Sequence, residues 1–210
     1  MRRAGSLVTV TPLRALLGLS LCAVLASVPA CAAGSSGLSR DAGGLTGTRA
    51  DEAVRAHNAW RQRSGVRPLR WAADLAAMAQ ARAGYLATHG CVIEHGILPA
   101  DIGENLYWAG PLQGPGLADE LFVVTPSHVV DMWGAEWADY STADGRCAPG
   151  RECGHFTQLV WATTEEVGCG TSVCPTLGQV WVCNYRPRGN VYRSQVPLTE
   201  PLKPPARRNR

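Results

Sequence analysis

Between Asp51 and Leu202 the chain contains no lysine, and its one lysine, Lys203, falls within the last eight residues. That stretch carries 11 arginines against 16 aspartates and glutamates. The formal charge of +3 therefore belongs to the ends: Arg2, Arg3 and Arg14 in front, Lys203, Arg207, Arg208 and Arg210 behind. The body is mildly acidic. It lacks the basic footprint that neutralises phosphates, so no nucleic-acid partner is expected. A long apolar run is also missing. Residues 15–26, ALLGLSLCAVLA, fall short of the roughly 20 residues that a spanning helix needs. No later stretch would serve, so no transmembrane helix is expected in the mature chain. There is no internal repeat and no H-E-x-x-H zinc motif.

What the front of the chain does have is the layout of an export signal. Arg2 and Arg3 precede the apolar run, and SVPACAAG follows it with small residues at cleavage spacing. Two processing routes stay open. Ala30-Cys31-Ala32 fits an ordinary A-x-A site, while Val28–Cys31 (VPAC) resembles a lipobox whose Cys31 would be lipidated, with Pro29 atypical for it. The expected organisation is a signal peptide over residues 1–31 cleaved near 30–33, and a flexible Gly/Ser linker over 32–49. A folded domain over 50–191 and a Pro-rich basic tail over 192–210 follow. The mature protein is expected to be secreted, or anchored to the outer cell surface as a lipoprotein.

With Cys22 in the signal and Cys31 lipidated or removed, six cysteines remain: Cys91, Cys147, Cys153, Cys169, Cys174 and Cys183. An even number in an exported chain reads as three disulfides, and six cysteines allow about 15 pairings. Cys169-x4-Cys174 also has the spacing of half a zinc site.

Periodicity predicts a first helix from about Ala50 to Arg63, with Thr48 as N-cap and Asp51 in capping-box position. Gly65 and Pro68 end it. An Ala-rich second helix runs from about Ala72 to Thr88 and stops at Gly90. Residues 91–126 are dense in glycine and proline and read as loop. TPSHVVDMWGAEWADY (125–140) predicts a third helix, and CGHFTQLVW (153–161) a short fourth. VGCGTSVC and GQVWVCNY read as two strands around a turn that contains PTLG. The pattern is α+β, with helices packed on a small antiparallel sheet.

Four polar residues sit in unusual contexts: His95 in CVIEHG, Glu104 in IGENLYW, Glu136 in MWGAEW and His155 in CGHFTQ. Two imidazoles and two carboxylates make a workable metal or general-base set. Each also has a plain reading: a hydrogen-bonded surface histidine, a helix charge at Glu136, a turn cap at Glu104. Ser127 and His128 are adjacent, but neighbouring helix positions diverge by about 100°, which argues against a nucleophile–base pair.

GENLYW, MWGAEWADY, CGHFTQLVW and VWVCNYRPRGN occur in that order, preceded by HNAWR at 57–61. Together they resemble the CAP superfamily: cysteine-rich secretory proteins, antigen-five allergens and the group-one pathogenesis-related proteins of plants. The resemblance covers about Asp51 to Val191. It implies a disulfide-stabilised three-layer α-β-α sandwich and a cleft tetrad of His95, Glu104, Glu136 and His155. Six residues, ILPADI, separate Gly96 from Gly103. That makes the loop longer than the family's, so His89 is kept as the fallback for the first histidine. The resemblance further implies the pairings Cys91–Cys174, Cys147–Cys153 and Cys169–Cys183, each adding about 2–4 kcal/mol.

The function expected on this basis is a non-enzymatic binding module and a monomer. Its ligand would be a small apolar molecule such as a sterol or fatty acid, or a protein or cell-envelope partner. Its cleft would hold zinc or another divalent cation through His95 and His155. The alternative is a Glu/His-dependent or metal-assisted hydrolase, a peptidase.

Overall fold

A computed structural model describes residues 44–191 except 115 and 117. The signal peptide, the lipobox at Cys31 and the basic tail lie outside the described residues. The elements in order are α1 (Gly47–Arg63), β1 (Arg70–Trp71), α2 (Ala73–Thr88), β2 (Gly103–Ala109) and α3 (Pro126–Ala135). A 3-10 turn over Glu136–Asp139 leads to β3 (Tyr140–Ser141), β4 (Arg146–Cys147), α4 (Gly154–Leu159), β5 (Glu166–Val173) and β6 (Gln179–Arg186). Four strands form one sheet in the order β1-β5-β6-β2, and β3 pairs with β4 in a short separate ribbon. The expected antiparallel sheet is in fact mixed, because β1 runs parallel to β5.

The sheet is the middle layer of three. On one face α2 lays Ala79, Ala83 and Leu86 over Leu106, Val180 and Val182. On the other, α1, α3 and α4 bury Ala53, Trp60, Val129, Val130, Trp133, Phe156 and Leu159 against Val167, Trp181 and Tyr185. Two glycines of β5 set how close α2 can lie. A Cβ at Gly168 would sit 2.2 Å from the Ala76 nitrogen, and one at Gly170 2.4 Å from Gln80 Cα. The alanines of α2 meet those glycines because neither side carries a bulky group.

The three disulfides are Cys91–Cys174, Cys147–Cys153 and Cys169–Cys183. Cys169 and Cys174 thus belong to different bridges, and the half-zinc-site reading of their spacing falls.

Several boundaries differ from expectation. α1 starts at Gly47, with Thr46 in the cap position and no side-chain cap, so Thr48 lies inside the helix rather than capping it. Gly44–Arg49 is not free linker: Leu45 is buried and its N–H donates to the Cys169 carbonyl at 2.9 Å. β2 occupies part of the segment read as loop and pairs along its whole length with β6. α3 is shorter than expected. Thr125 caps it by accepting from His128 N–H, and it ends at Ala135, before the Glu136 side chain turns away to α4.

Arg61 fastens α1 to the site-bearing region. Fully buried, it donates to the carbonyls of Arg67, Leu159, Trp161 and Thr164 at 2.6–2.9 Å. Burial without a carboxylate partner pulls its pKa down to about 10. Its four bonds fix the end of α4.

Candidate functional site

α4 begins directly after Cys153, so the Cys147–Cys153 bridge holds the chain where the helix starts. Glu136 completes that start: one carboxylate oxygen accepts from the N–H groups of His155 and Phe156, each at 3.0 Å. A carboxylate at a helix N-terminus satisfies donors that have no intrahelical partner. The other oxygen accepts from His155 Nδ1 at 2.6 Å. The His155 ring also lies near-parallel to Trp133, with centroids 6.2 Å apart. From below, Asn105 Nδ2 donates to the His155 carbonyl at 3.1 Å and to the Tyr185 hydroxyl at 3.3 Å. Tyr185 in turn donates to His57 Nε2 at 2.9 Å. A buried polar line therefore runs from α1 to the base of His155.

The second pair is built on β2 and the loop before it. His95 Nδ1 donates to Glu104 Oε1 at 2.9 Å, and Gly96 N–H to the same oxygen at 3.2 Å. The Glu104 side chain is 1% exposed, that of His95 66%. The hydrogen bond to Glu104 raises the His95 pKa above its ordinary value, against partial burial and the nearby Arg82 guanidinium. Glu104 Oε2 is buried and has no hydrogen-bond partner among the described residues.

His95, Glu104 and His155 line one cleft of about 270 Å³ with Asn105, Glu152, Cys153, Gly154 and Asn190. Glu136 lines an adjoining hollow of about 520 Å³ with Met132, Asp139, Arg151 and Glu152. The fallback residue, His89, does not face either: it caps the C-terminus of α2 and stacks on Tyr85 at 3.9 Å.

Each cleft histidine gives its Nδ1–H to a carboxylate, which fixes the tautomer and leaves Nε2 with its lone pair. No described residue bonds to either Nε2. Two imidazoles oriented in this way are of a donor type that zinc and similar divalent cations accept, but among the described residues the ligand atoms of His95, Glu104 and His155 do not form a group that converges within 4.8 Å. A different cluster, His57 with Cys169 and Cys183, brings its ligand atoms within 4.8 Å of one another. It does not fit a metal as it stands. The two sulfurs are joined to each other, and both His57 nitrogens are engaged, Nδ1 donating to the Ala53 carbonyl at 2.7 Å. Ser127 Oγ donates to Glu52 at 2.6 Å, and His128 turns to the Tyr107 hydroxyl at 3.3 Å, so these two do not form a reactive pair.

Asn105, Glu152 and Asn190 were not among the residues that the sequence singles out. Asn105 directly follows Glu104, which is the only local hint; Glu152 and Asn190 reach the cleft through tertiary contacts.

Comparison with known proteins gives the following. The family model described as "Cysteine-rich secretory protein family" (CAP) matches residues 54–185. Pathogenesis-related protein 1C of Nicotiana tabacum is 40% identical over 137 residues, covering 65% of this chain and 73% of that one. A PR-1 type pathogenesis-related protein of Sambucus nigra is 39% identical over 148 residues, 69% of this chain and 78% of that one. Peptidase inhibitor 16 of Homo sapiens is 34% identical over 161 residues, 71% of this chain but 32% of its own length. Among solved structures, venom allergen-like protein 4 of Schistosoma mansoni superimposes with a TM-score of 0.53 at 22% identity, over 69% of this chain and 91% of that one. That likeness is one of fold.

Proposed function

The chain belongs to the cysteine-rich secretory protein (CAP) family, and from that membership we propose that it is an exported, non-enzymatic binding module whose cleft takes a divalent cation through His95 and His155. The observation that carries this reading is the pairing of both histidines through Nδ1 with a carboxylate, His95 with Glu104 and His155 with Glu136. That arrangement orients each ring and raises the basicity of its free nitrogen. Nε2 of His95 and Nε2 of His155 would be the protein ligands, with solvent or a bound ligand completing the coordination. A bound cation would add a fixed positive charge to an acidic cleft and with it an anchor for an anionic or carbonyl group of a ligand.

The apolar-ligand side of the reading, a sterol or fatty acid, draws on the loop that carries His95. Val92, Ile93 and Ile97 are exposed there. Export and a place outside the cell agree with the three disulfides and with the secretory family. Among the described residues no helix is long and apolar enough to cross a membrane. The alternative, a Glu/His-dependent or metal-assisted hydrolase, would use the same histidines and glutamates to activate water, and peptide cleavage that is lost in Glu104→Gln would establish it.

Calorimetric titration with zinc chloride tests the metal. The chain should bind zinc, and His95→Ala and His155→Ala should each weaken it at least about tenfold, with circular dichroism unchanged. Equal zinc affinity in all three proteins would overturn the assignment.

A further inference from the structure

Just before the Thr125 cap of α3, two apolar side chains stand in solvent: Phe122 is 40% exposed and Val123 57%. They are held there. The next residue, Val124, is buried in the main core, and its N–H donates to Oε1 of fully buried Gln179 at 3.1 Å. The Phe122 ring meets the His128 ring edge-on at 6.4 Å, and Tyr107 meets the same ring at 6.1 Å. The Tyr107 hydroxyl lies 3.3 Å from His128 Nε2. One helical turn on is Met132, 48% exposed, and then Ala135, also exposed. Positions 128, 132 and 135 share one face of α3 and span about 10 Å of its axis. An apolar strip therefore runs from Phe122 along the outside of the helix.

The strip ends in the acidic hollow beside the cleft. Met132 and Ala135 line that hollow together with Glu136, Asp139, Arg151 and Glu152. Three carboxylates stand there against one guanidinium, and Arg151 is already bound to Asp139 at 2.8 Å. Glu152 has no partner among the described residues. Contiguous apolar surface edged by charge marks a place where something binds. Anionic lipid headgroups suit the strip's rim poorly, since the hollow repels them and its carboxylates would lose water. A second copy would bring another acidic body to an acidic hollow. A cationic segment of a different protein meets both halves.

We propose that the strip and the hollow form one docking surface for a protein segment with an apolar side chain followed by arginine or lysine, about three residues on in extended form. The apolar side chain covers Phe122, His128 and Met132, and the cation enters the hollow beside Glu152. Arginine fits there best, because its fork of donors can serve two carboxylates at once. The surface is built on a helix and on a loop end fixed to the core, so binding costs little ordering. It goes beyond the metal reading: it shares only Glu152 with the cleft that holds His95 and His155.

A phage-displayed library of random peptides is selected on the full-length chain in EDTA, and enriched peptides are titrated with a fluorescein label by anisotropy. They should pair an aromatic or branched aliphatic residue with a nearby arginine or lysine. Phe122→Ser and Met132→Gln should each weaken them at least about tenfold, with circular dichroism unchanged. Glu152→Gln should weaken them about fivefold and flatten their salt dependence. Leu177→Asn, which alters an exposed apolar residue on the β5–β6 turn, should leave affinity as it is. No enrichment, peptides without a basic residue, or equal affinity for all four variants would overturn the proposal. So would a dimer that dissociates in Met132→Gln, which gives the strip to a second copy. Binding to neutral phosphatidylcholine vesicles that Phe122→Ser abolishes gives it to lipid and overturns the proposal too. EDTA keeps the readouts apart: failure of zinc binding leaves peptide docking standing, and failure of docking leaves the zinc reading standing.

Discussion

His57 and His95 show how far environment separates two side chains of one type. His57 is fully buried, with Nδ1 on the Ala53 carbonyl and Nε2 accepting from Tyr185. Burial pushes its pKa down to about 4. The unfolded chain, with an ordinary value near 6.5, takes up a proton in that window that the folded chain refuses. The stabilisation is present above pH ~6.5 and is lost as pH falls toward 4, by about 3 kcal/mol in all. Urea unfolding of the chain should therefore show a steeper loss of stability between pH 6.5 and 4 than unfolding of His57→Gln. Equal slopes would argue that the ring is not held neutral. His95 has the opposite sign. Its folded pKa is raised by Glu104, so its share of stability is present at low pH and fades as pH rises through that value. His95, Glu104, Glu136 and His155 were singled out in the sequence by their contexts and grouped by the family resemblance; the structure pairs His95 with Glu104 and His155 with Glu136. Asn105 was not, since its value lies in a bond to the carbonyl of His155, 50 positions away. No local pattern encodes such a bond.

Elements were legible where a period repeats and illegible where pairing is distant. α1 and α2 appeared from their 3.6-residue spacing to within a few residues, and β5 and β6 from their flanking turns. β2 did not. It lies among glycines and prolines, buries Asn105 beside Leu106, and owes its form to a seven-residue register with β6. The end of α3 was hidden for a related reason, because Glu136 is drawn off to cap another helix. The glycines of β5 run against strand propensity, and only the packing of α2 explains them. Gly168→Ala should consequently cost about 1–3 kcal/mol or more, since its Cβ would meet backbone atoms of α2 that cannot rotate aside. Gly154→Ala is the control: nothing lies within 4 Å of its Cβ. Chemical denaturation of both variants checks the contrast, and equal midpoints would show that α2 shifts without cost.

For the whole molecule, the limits of the domain decide which residues are structural. The disulfides tie it at three levels. One joins the end of α2 to the β5–β6 turn, one clips β5 to β6 at directly paired positions, and one holds the start of α4. The folded part does not begin where helical periodicity begins. Gly44, at a φ of 86°, sits so close to α2 that a Cβ would lie 2.4 Å from the Ala76 carbonyl oxygen. Leu45 then enters the main core with 5% exposure and reaches Cys169 through its N–H. One leucine in a run of glycine, serine and threonine carries no period, so its burial depends on the sheet face it meets and could not be read locally. A chain shortened to begin at Ala50 loses that leucine, worth about 1.5–3 kcal/mol on burial, and a hydrogen bond worth about 1 kcal/mol. It should be less stable in urea by about 2–4 kcal/mol than a chain beginning at Gly44, whose own stability should match the longer protein within ~0.5 kcal/mol. Equal stability of the two shortened chains would return residues 44–49 to the linker.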